Sequence, residues 1–519
     1  MEKTLQIIYT SDTHGYLYPT LYAERTEAPM GLMKLMDAFP HGKNTLILDG
    51  GDTLQGSPLT NLYSRMVPED RASCLSSNAY GEHPIAAVMN LAGYRFITLG
   101  NHDFNYGLEA LGDYLQNLDA LCLCANIRDK AHALPIAPYA IMEMENGLRV
   151  GIAGVCTHYV ARWENPEISK DLEIEDAFEA AARVLEEIRP QCDLTVLIYH
   201  GGYERDLANG RLLSRTSENQ ACRICKELHY DLVLTGHQHM HIPGLLYGNS
   251  YTLQLTYRAA HACLVSVSVD DTGAKRFDSR IIEPAEHANA EAAALLEPLQ
   301  QRVNTWLDTP AGRLSLPLRC QDHLDSALYG CPLANFVNQV QMWLSGAQVS
   351  TCALPNEYKG LPKNVTIRDV VSTYIYSNTL LVLEMDWDTL KQYIERSACY
   401  FALEEGKVIL GETFTRPKVQ HYNYDFFSGV DYVIDVSRPV GQRVTSIRLN
   451  GRELQAEDKV SICVNSYRRG GTSGYDMVSA APVLREVQTD VADAIIEYIS
   501  THPAIQVDLH RWTTILPET

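Results

Sequence analysis

At 519 residues, 46% of them hydrophobic, the chain has material for two hydrophobic cores. Its formal charge of −21 argues against a nucleic-acid polymer or an anionic membrane surface as main partner, but not against a small anion, because bound cations reverse the field locally. No apolar run reaches the roughly 18 residues of a membrane span.

The N-terminus, Met1-Glu2-Lys3, leads straight into Leu5-Gln6-Ile7-Ile8-Tyr9, too short for a signal core. The chain therefore reads as cytoplasmic, or as secreted or periplasmic if a leader has been removed. Short, continuous, branched apolar runs at 5–9, 45–48, 96–99, 150–155, 194–199 and 232–234 predict strands buried on both faces. Helical patterns lie between them, at 84–91 and 177–188. Two further strands are expected at 251–255 and 263–269, closed by the turn signal Asp270-Asp271-Thr272-Gly273. This is a layered α/β domain over residues 1–285.

Residues 288–307 are rich in Ala, Glu, Leu and Gln and predict one long helix without breakers, read as a linker over 286–312. The remainder, 313–519, mixes helices (333–344, 387–397) with strands (380–384, 432–436, 459–464), an α+β domain. The 13 cysteines, an odd number in apolar surroundings, fit reduced thiols better than a disulfide framework. The lone pair in Cys222-Arg223-Ile224-Cys225 reads as two thiols on a helix rather than a redox or zinc site.

Five polar motifs follow five of the predicted strands: Asp12-Thr13-His14, Asp49-Gly50-Gly51-Asp52, Gly100-Asn101-His102-Asp103, Tyr199-His200-Gly201-Gly202 and Gly236-His237-Gln238-His239. Each alone reads as a hydrogen-bonded turn. Together they place Asp, His and Asn side chains at the carboxyl ends of strands, where α/β sheets bind ligands. The adjacent glycines let the backbone turn sharply. Mixed imidazole and carboxylate donors suit Mn, Zn, Fe, Co or Ni, and the absence of cysteine from all five motifs excludes a structural zinc cage. A carboxylate can bridge two such ions, and a pair about 3.5–4 Å apart clamps the attacking and leaving oxygens of an in-line displacement, as phosphate esters require.

In this order the five motifs resemble those of the calcineurin-like metallophosphoesterases. The longer strings Gly100-Asn101-His102-Asp103-Phe104-Asn105-Tyr106-Gly107-Leu108, Ser217-Glu218-Asn219 and Thr235-Gly236-His237-Gln238-His239 resemble the 5′-nucleotidase branch, which includes the 2′,3′-cyclic-nucleotide phosphodiesterase/3′-nucleotidases. The resemblance implies an α/β/β/α first domain and two-metal hydrolysis of nucleotide phosphate esters by a metal-bridged hydroxide. It implies Asp12, His14 and His239 on one ion, Asn101, His200 and His237 on the other, and Asp52 bridging. Asn101 would also face the substrate. His102 would touch the phosphoryl or leaving oxygen, oriented by Asp103, where relatives often carry Glu. His41, His158, His241 and His261 have no comparable context and read as surface or core residues.

The family's second domain stacks the base between aromatic rings, which implies Tyr424 in Tyr422-Asn423-Tyr424-Asp425 and Tyr475 in the string from Asn465 to Tyr475. One departure stands out: residues 350–360 lack the family's Gly-Gly-x-Arg string that meets the substrate, leaving Arg468 or Arg469 to compensate. The strings around Tyr424 and Tyr467 lean toward the cyclic-phosphodiesterase subgroup, so the position of the phosphate is open. Alternatives are a hydrolase of another phosphoester or phosphoanhydride, such as a nucleotide sugar, and an inactive binding protein on the same fold. The expected partner is a small nucleotide; oligomeric state is not legible.

Overall fold

The computed structural model describes residues 2–517 except 165, 211, 214–216, 320, 377, 417, 488 and 504. The chain divides into two compact units, Met1–Asn304 and Thr305–Thr519.

The first unit is built on two sheets. One has seven strands in the order Lys275–Ile282, Ala262–Val269, Lys3–Thr10, Thr45–Asp49, Phe96–Ile97, Leu121–Leu123, Ile136–Ala137. The other has six, in the order Ile242–Tyr247, Ser250–Gln254, Leu232–Thr235, Leu194–His200, Arg149–Cys156, Tyr139–Glu143. The strands that precede the five motifs pair in parallel within their own sheets, so their carboxyl ends lie along one edge of each. Strand periodicity explains the layering. Leu5, Ile7 and Tyr9 of the first sheet share a core with Val150, Ile152, Val196, Ile198, Leu232 and Leu234 of the second. The alternate residues Ala153, Val155, Leu197 and Tyr199 turn outward and bury the helices Ala177–Ile188 and Ala221–Glu227. On the outer side of the first sheet, Ile8 and Ile47 are buried, and Tyr94, just beyond the helix Pro84–Ala92, meets Thr10 at 2.7 Å. The layers are therefore α/β/β/α, as expected. Each fully buried Val, Leu or Ile contributes about 1.5–3 kcal/mol.

Cys222 and Cys225 belong to the outer helix layer, and burial pushes their thiols up to about 11 and about 12. They are packing residues, not a redox pair. Among the described residues no helix is long and apolar enough to cross a membrane.

The linker expectation needs correction. The helix runs over Ala290–Leu307 and contains Pro298, a breaker that the breaker-free reading of this stretch missed. Proline has no N–H for the carbonyl four residues back. That carbonyl, on Ala294, instead accepts from Ser76 Oγ at 2.9 Å, while the Ser76 N–H bonds Leu295 O at 2.9 Å. Tyr18 Oη donates to Ala293 O, Tyr22 Oη to Gln300, and Arg302 to Asp70 O. These bonds bind the helix to the first unit, whose boundary falls after Asn304 rather than at 285.

The second unit is α+β. A five-stranded sheet, in the order Phe426–Ser428, Val349–Cys352, Lys459–Asn465, Leu380–Asp386, Val483–Val487, packs with the helices Pro332–Ser345 and Trp387–Ala398 around one core. A separate four-stranded sheet includes Val430–Asp435 and Thr513–Leu516.

Candidate two-metal active site

Four of the five motif loops of the first unit bring their side chains together as two groups. Asp12, His14 and His239 form one, and Asp52, His200 and His237 the other; within each group the donor atoms lie within 4.8 Å of one another. His239 Nε2 is 3.3 Å from Asp12 Oδ1 and 3.2 Å from His14 Nε2. A single oxygen, Asp52 Oδ2, lies 3.2 Å from His200 Nε2 and 3.9 Å from His14 Nε2, and so faces both groups.

The local backbone is bent to make this convergence possible. Asp12, His14, Asp52, His237 and His239 all have φ between 49° and 73°, the left-handed region that non-glycine residues rarely occupy. Such strain concentrates at functional sites, where the surrounding structure holds it in place. Glycines provide close approach: a Cβ on Gly100 would fall 2.2 Å from Asp52 Oδ1, and one on Gly236 would fall 2.4 Å from Ser11 Oγ.

The imidazoles are oriented from behind. His14 Nδ1 donates to Gln55 O at 2.8 Å and His200 Nδ1 to Gly50 O at 2.7 Å, which turns both Nε2 atoms toward the site. Burial pulls His14 down to about 4, so it is neutral and ready to ligate at pH 7. Burial also opposes charge on His200, but the adjacent Asp52 carboxylate overcomes it and raises His200 to about 10. Asp52 is held well below the usual carboxylate range, since His200 and His102 outweigh its burial. The Asp52 carboxylate thus favours positive charge beside it.

Buried polar atoms test whether this field is meant for cations. Among the described residues Asn101 Oδ1, Asp52 Oδ2 and His200 Nε2 have no hydrogen-bond partner of good geometry, although Asp52 Oδ2 and His200 Nε2 face each other at 3.2 Å. Buried donors and acceptors are ordinarily satisfied. The two converging donor sets fit divalent ions held by Asp12, His14 and His239 and by His200 and His237, with Asp52 facing both, and the unpartnered Asn101 Oδ1 is a further oxygen donor of the kind such an ion takes.

His102 joins the centre from the side, its ring 5.4 Å from that of His14 and its backbone N–H donating to Asp52 Oδ1 at 2.7 Å. The expected partnership with Asp103 does not occur. Asp103 accepts from the backbone N–H of Asp52, Thr53, Leu54 and Gly100 at 2.8–3.0 Å, so it shapes the Asp52 loop. The atom facing His102 Nδ1 is Asn105 Oδ1, at 2.8 Å, and Asn105 in turn donates to Glu164. The signal for Asn105 was its place three residues on, within reach across one tight helical turn. Glu218 was also missed as a contact: its carboxylate lies 2.9 Å from His237 Nε2. Asp103→Ala leaves four buried N–H donors without an acceptor, each costing about 1–3 kcal/mol. We expect at least ~3 kcal/mol of lost stability by urea denaturation; a loss under ~1 kcal/mol would contradict the loop-shaping role.

The second-unit expectations also change. Tyr475 is fully buried, donates to Asn423 O at 2.6 Å, and carries the Arg468 guanidinium 3.8 Å from its ring centre. Tyr424 is 2% exposed and packed among Tyr400, Phe401 and Phe426. Neither ring presents a face on which a base can stack. Arg468 is likewise committed: it is buried against Asp425, with Nε 2.6 Å from Oδ2 and an Nη atom 2.9 Å from Oδ1, and Tyr393 Oη donates to the same carboxylate. Arg469 donates to Val478 O and Ser479 O. The two aromatic strings are thus joined through a buried ion pair, which sequence spacing does not reveal.

Residues 5–241, which carry the centre, match the family described as calcineurin-like phosphoesterase, and residues 315–480 match the 5′-nucleotidase C-terminal domain. The chain belongs to the calcineurin-like phosphoesterases with a 5′-nucleotidase C-terminal domain. It is a metal-dependent hydrolase. A Staphylococcus aureus protein assigned as a 5′-nucleotidase, solved with alpha-ketoglutarate, is 29% identical, with a TM-score of 0.89 over 99% of this chain and 100% of that one. The trifunctional nucleotide phosphoesterase protein YfkN of Bacillus subtilis is 22% identical over 95% of this phosphoesterase, which spans only 38% of YfkN's length. The 2′,3′-cyclic-nucleotide 2′-phosphodiesterase/3′-nucleotidase of Haemophilus influenzae is 22% identical over 95% of this chain and 85% of its own.

Proposed function

We propose that this phosphoesterase hydrolyses phosphate esters of nucleotides. The observation that carries the reading is Asp52 Oδ2 facing both ligand groups, with His102 beside them. Bound divalent ions would neutralise the phosphoryl charge and activate a water at neutral pH. The chain's own contribution is positional. Nδ1 bonds to backbone carbonyls aim His14 and His200, Asp103 holds the loop that carries Asp52, and Asn105 sets the His102 ring so that Nε2 is the atom left to meet the phosphoryl or leaving oxygen.

Manganese, zinc, iron, cobalt and nickel all suit the mixed N and O donor set. The nucleotide part of the proposal is supported by the names of the relatives and by the second domain's family, not by Tyr424 or Tyr475. A reducing, cytoplasmic setting is supported by the free cysteines at 74, 122, 124, 156, 192, 222, 225, 263, 331, 352, 399 and 463. The deciding experiment is a panel of 5′-, 3′- and 2′,3′-cyclic nucleotides with Mn²⁺. Mn²⁺-dependent turnover of at least one nucleotide class, faster than that of p-nitrophenyl phosphate, is expected. Turnover of p-nitrophenyl phosphate with no nucleotide cleaved would move the reading to another phosphoester or phosphoanhydride.

A further inference from the structure

Arg258 has no role in the centre described above, yet its surroundings are unusual. It and Ala259 have φ of 61° and 49°, two consecutive residues in the left-handed region. The Arg258 N–H donates to the carbonyl of the metal-site residue Asp12 at 2.8 Å, and its own carbonyl accepts from Gly31 N at 3.1 Å. Its guanidinium lies over two rings, 5.0 Å from the centre of Tyr16 and 4.9 Å from that of Tyr257. Tyr257 is stacked on His239, with centroids 5.0 Å apart and planes 14° apart, and is 37% exposed. The guanidinium is therefore one aromatic ring removed from a residue of the first ligand group.

In a chain of net charge −21 an arginine finds carboxylates easily, as Arg71, Arg368 and Arg468 do. Among the described residues, no carboxylate lies within ion-pair distance of Arg258, and its side chain donates no hydrogen bond. Aromatic stacking uses the face of a guanidinium and leaves its in-plane fork of N–H donors unspent. That fork matches two oxygens of a phosphate. The backbone tie to Asp12 and the strained φ values hold the side chain at this place.

We propose that Arg258, held over Tyr16 and Tyr257, is a subsite for a second phosphate group of the substrate, next to the phosphoryl on which the metal centre acts. The ligand class is a diphosphate, as in a nucleoside diphosphate. This rests on the reading of the centre as a phosphoesterase.

The test compares orthophosphate and pyrophosphate as inhibitors of p-nitrophenyl phosphate hydrolysis at saturating Mn²⁺. Arg258→Asn removes the guanidinium while tolerating the left-handed backbone. It should raise the pyrophosphate inhibition constant about tenfold or more relative to that of orthophosphate. Arg258→Lys, which keeps the charge but loses the fork, should fall between. An equal rise in both constants would mean that Arg258 acts on the reacting phosphoryl, and unchanged constants would mean that it only covers the rings; either overturns the proposal. Absence of p-nitrophenyl phosphate turnover by the wild type would instead count against the phosphoesterase reading. Calorimetric titration of the same two anions into the Mn²⁺-loaded proteins then reads the same ratio.

Discussion

Asp52→Asn is expected to reduce bound divalent metal from two ions per chain to at most one, under metal-replete conditions. One oxygen of Asp52 stands between the two groups, 3.2 Å from His200 Nε2 and 3.9 Å from His14 Nε2. An amide there is neutral and places either a weak oxygen donor or an N–H₂ group at the shared position. Hydrolysis of p-nitrophenyl phosphate should fall by more than ~100-fold, because substituting even the hydrogen-bond partners of metal ligands costs about 10–100-fold. Elemental analysis decides the matter separately from activity. Two ions retained by the variant would remove Asp52 from the bridging role, and one ion in the wild type would remove the two-metal mechanism.

His102→Ala should leave metal content intact while kcat falls about 10²–10⁴-fold, the usual worth of a positioned acid–base group. Metal is retained because the contact of His102 with Asp52 runs through its backbone N–H, which alanine keeps. What is lost is the ring, which Asn105 holds at Nδ1. A truncation of this kind lowers kcat and kcat/KM together when the group acts in the transition state. A fall in metal content would show that His102 ligates an ion. A rise in KM with kcat unchanged would place it in substrate binding alone.

The chemistry of the centre was legible in the chain because it depends on residue type and on strand endings. Branched apolar runs forecast the strands from Lys3–Thr10 to Leu232–Thr235, and the motifs after all of them but Arg149–Cys156 supplied ligand-type side chains. Parallel pairing then placed their carboxyl ends along common edges without further information. The helix Ala177–Ile188 coincided with its expected bounds because the Asp176 side chain caps it, accepting from the Phe178 and Glu179 N–H groups.

Partnerships across the fold were not legible, because they join residues far apart in sequence through hydrogen bonds that no period encodes. Asp103 follows His102 directly but points to the loop of residues 52–54, fifty positions earlier, since a carboxylate in that turn meets three converging N–H donors there. That the Ala290–Leu307 helix, expected as the connection between domains, is bonded to the first unit was not legible, because the Ser76 that satisfies its proline-freed carbonyl lies more than two hundred residues away. Tyr424 and Tyr475 looked like open aromatic platforms because an aromatic in a glycine-containing loop has the same composition whether it faces solvent or core. Only the packing around the Asp425–Arg468 pair closes those rings in. The sequence by itself determined which atoms are available to hold metal and attack phosphate. The tertiary structure alone decided which side chains orient them, because orientation comes from contacts between segments that the folded sheets bring together.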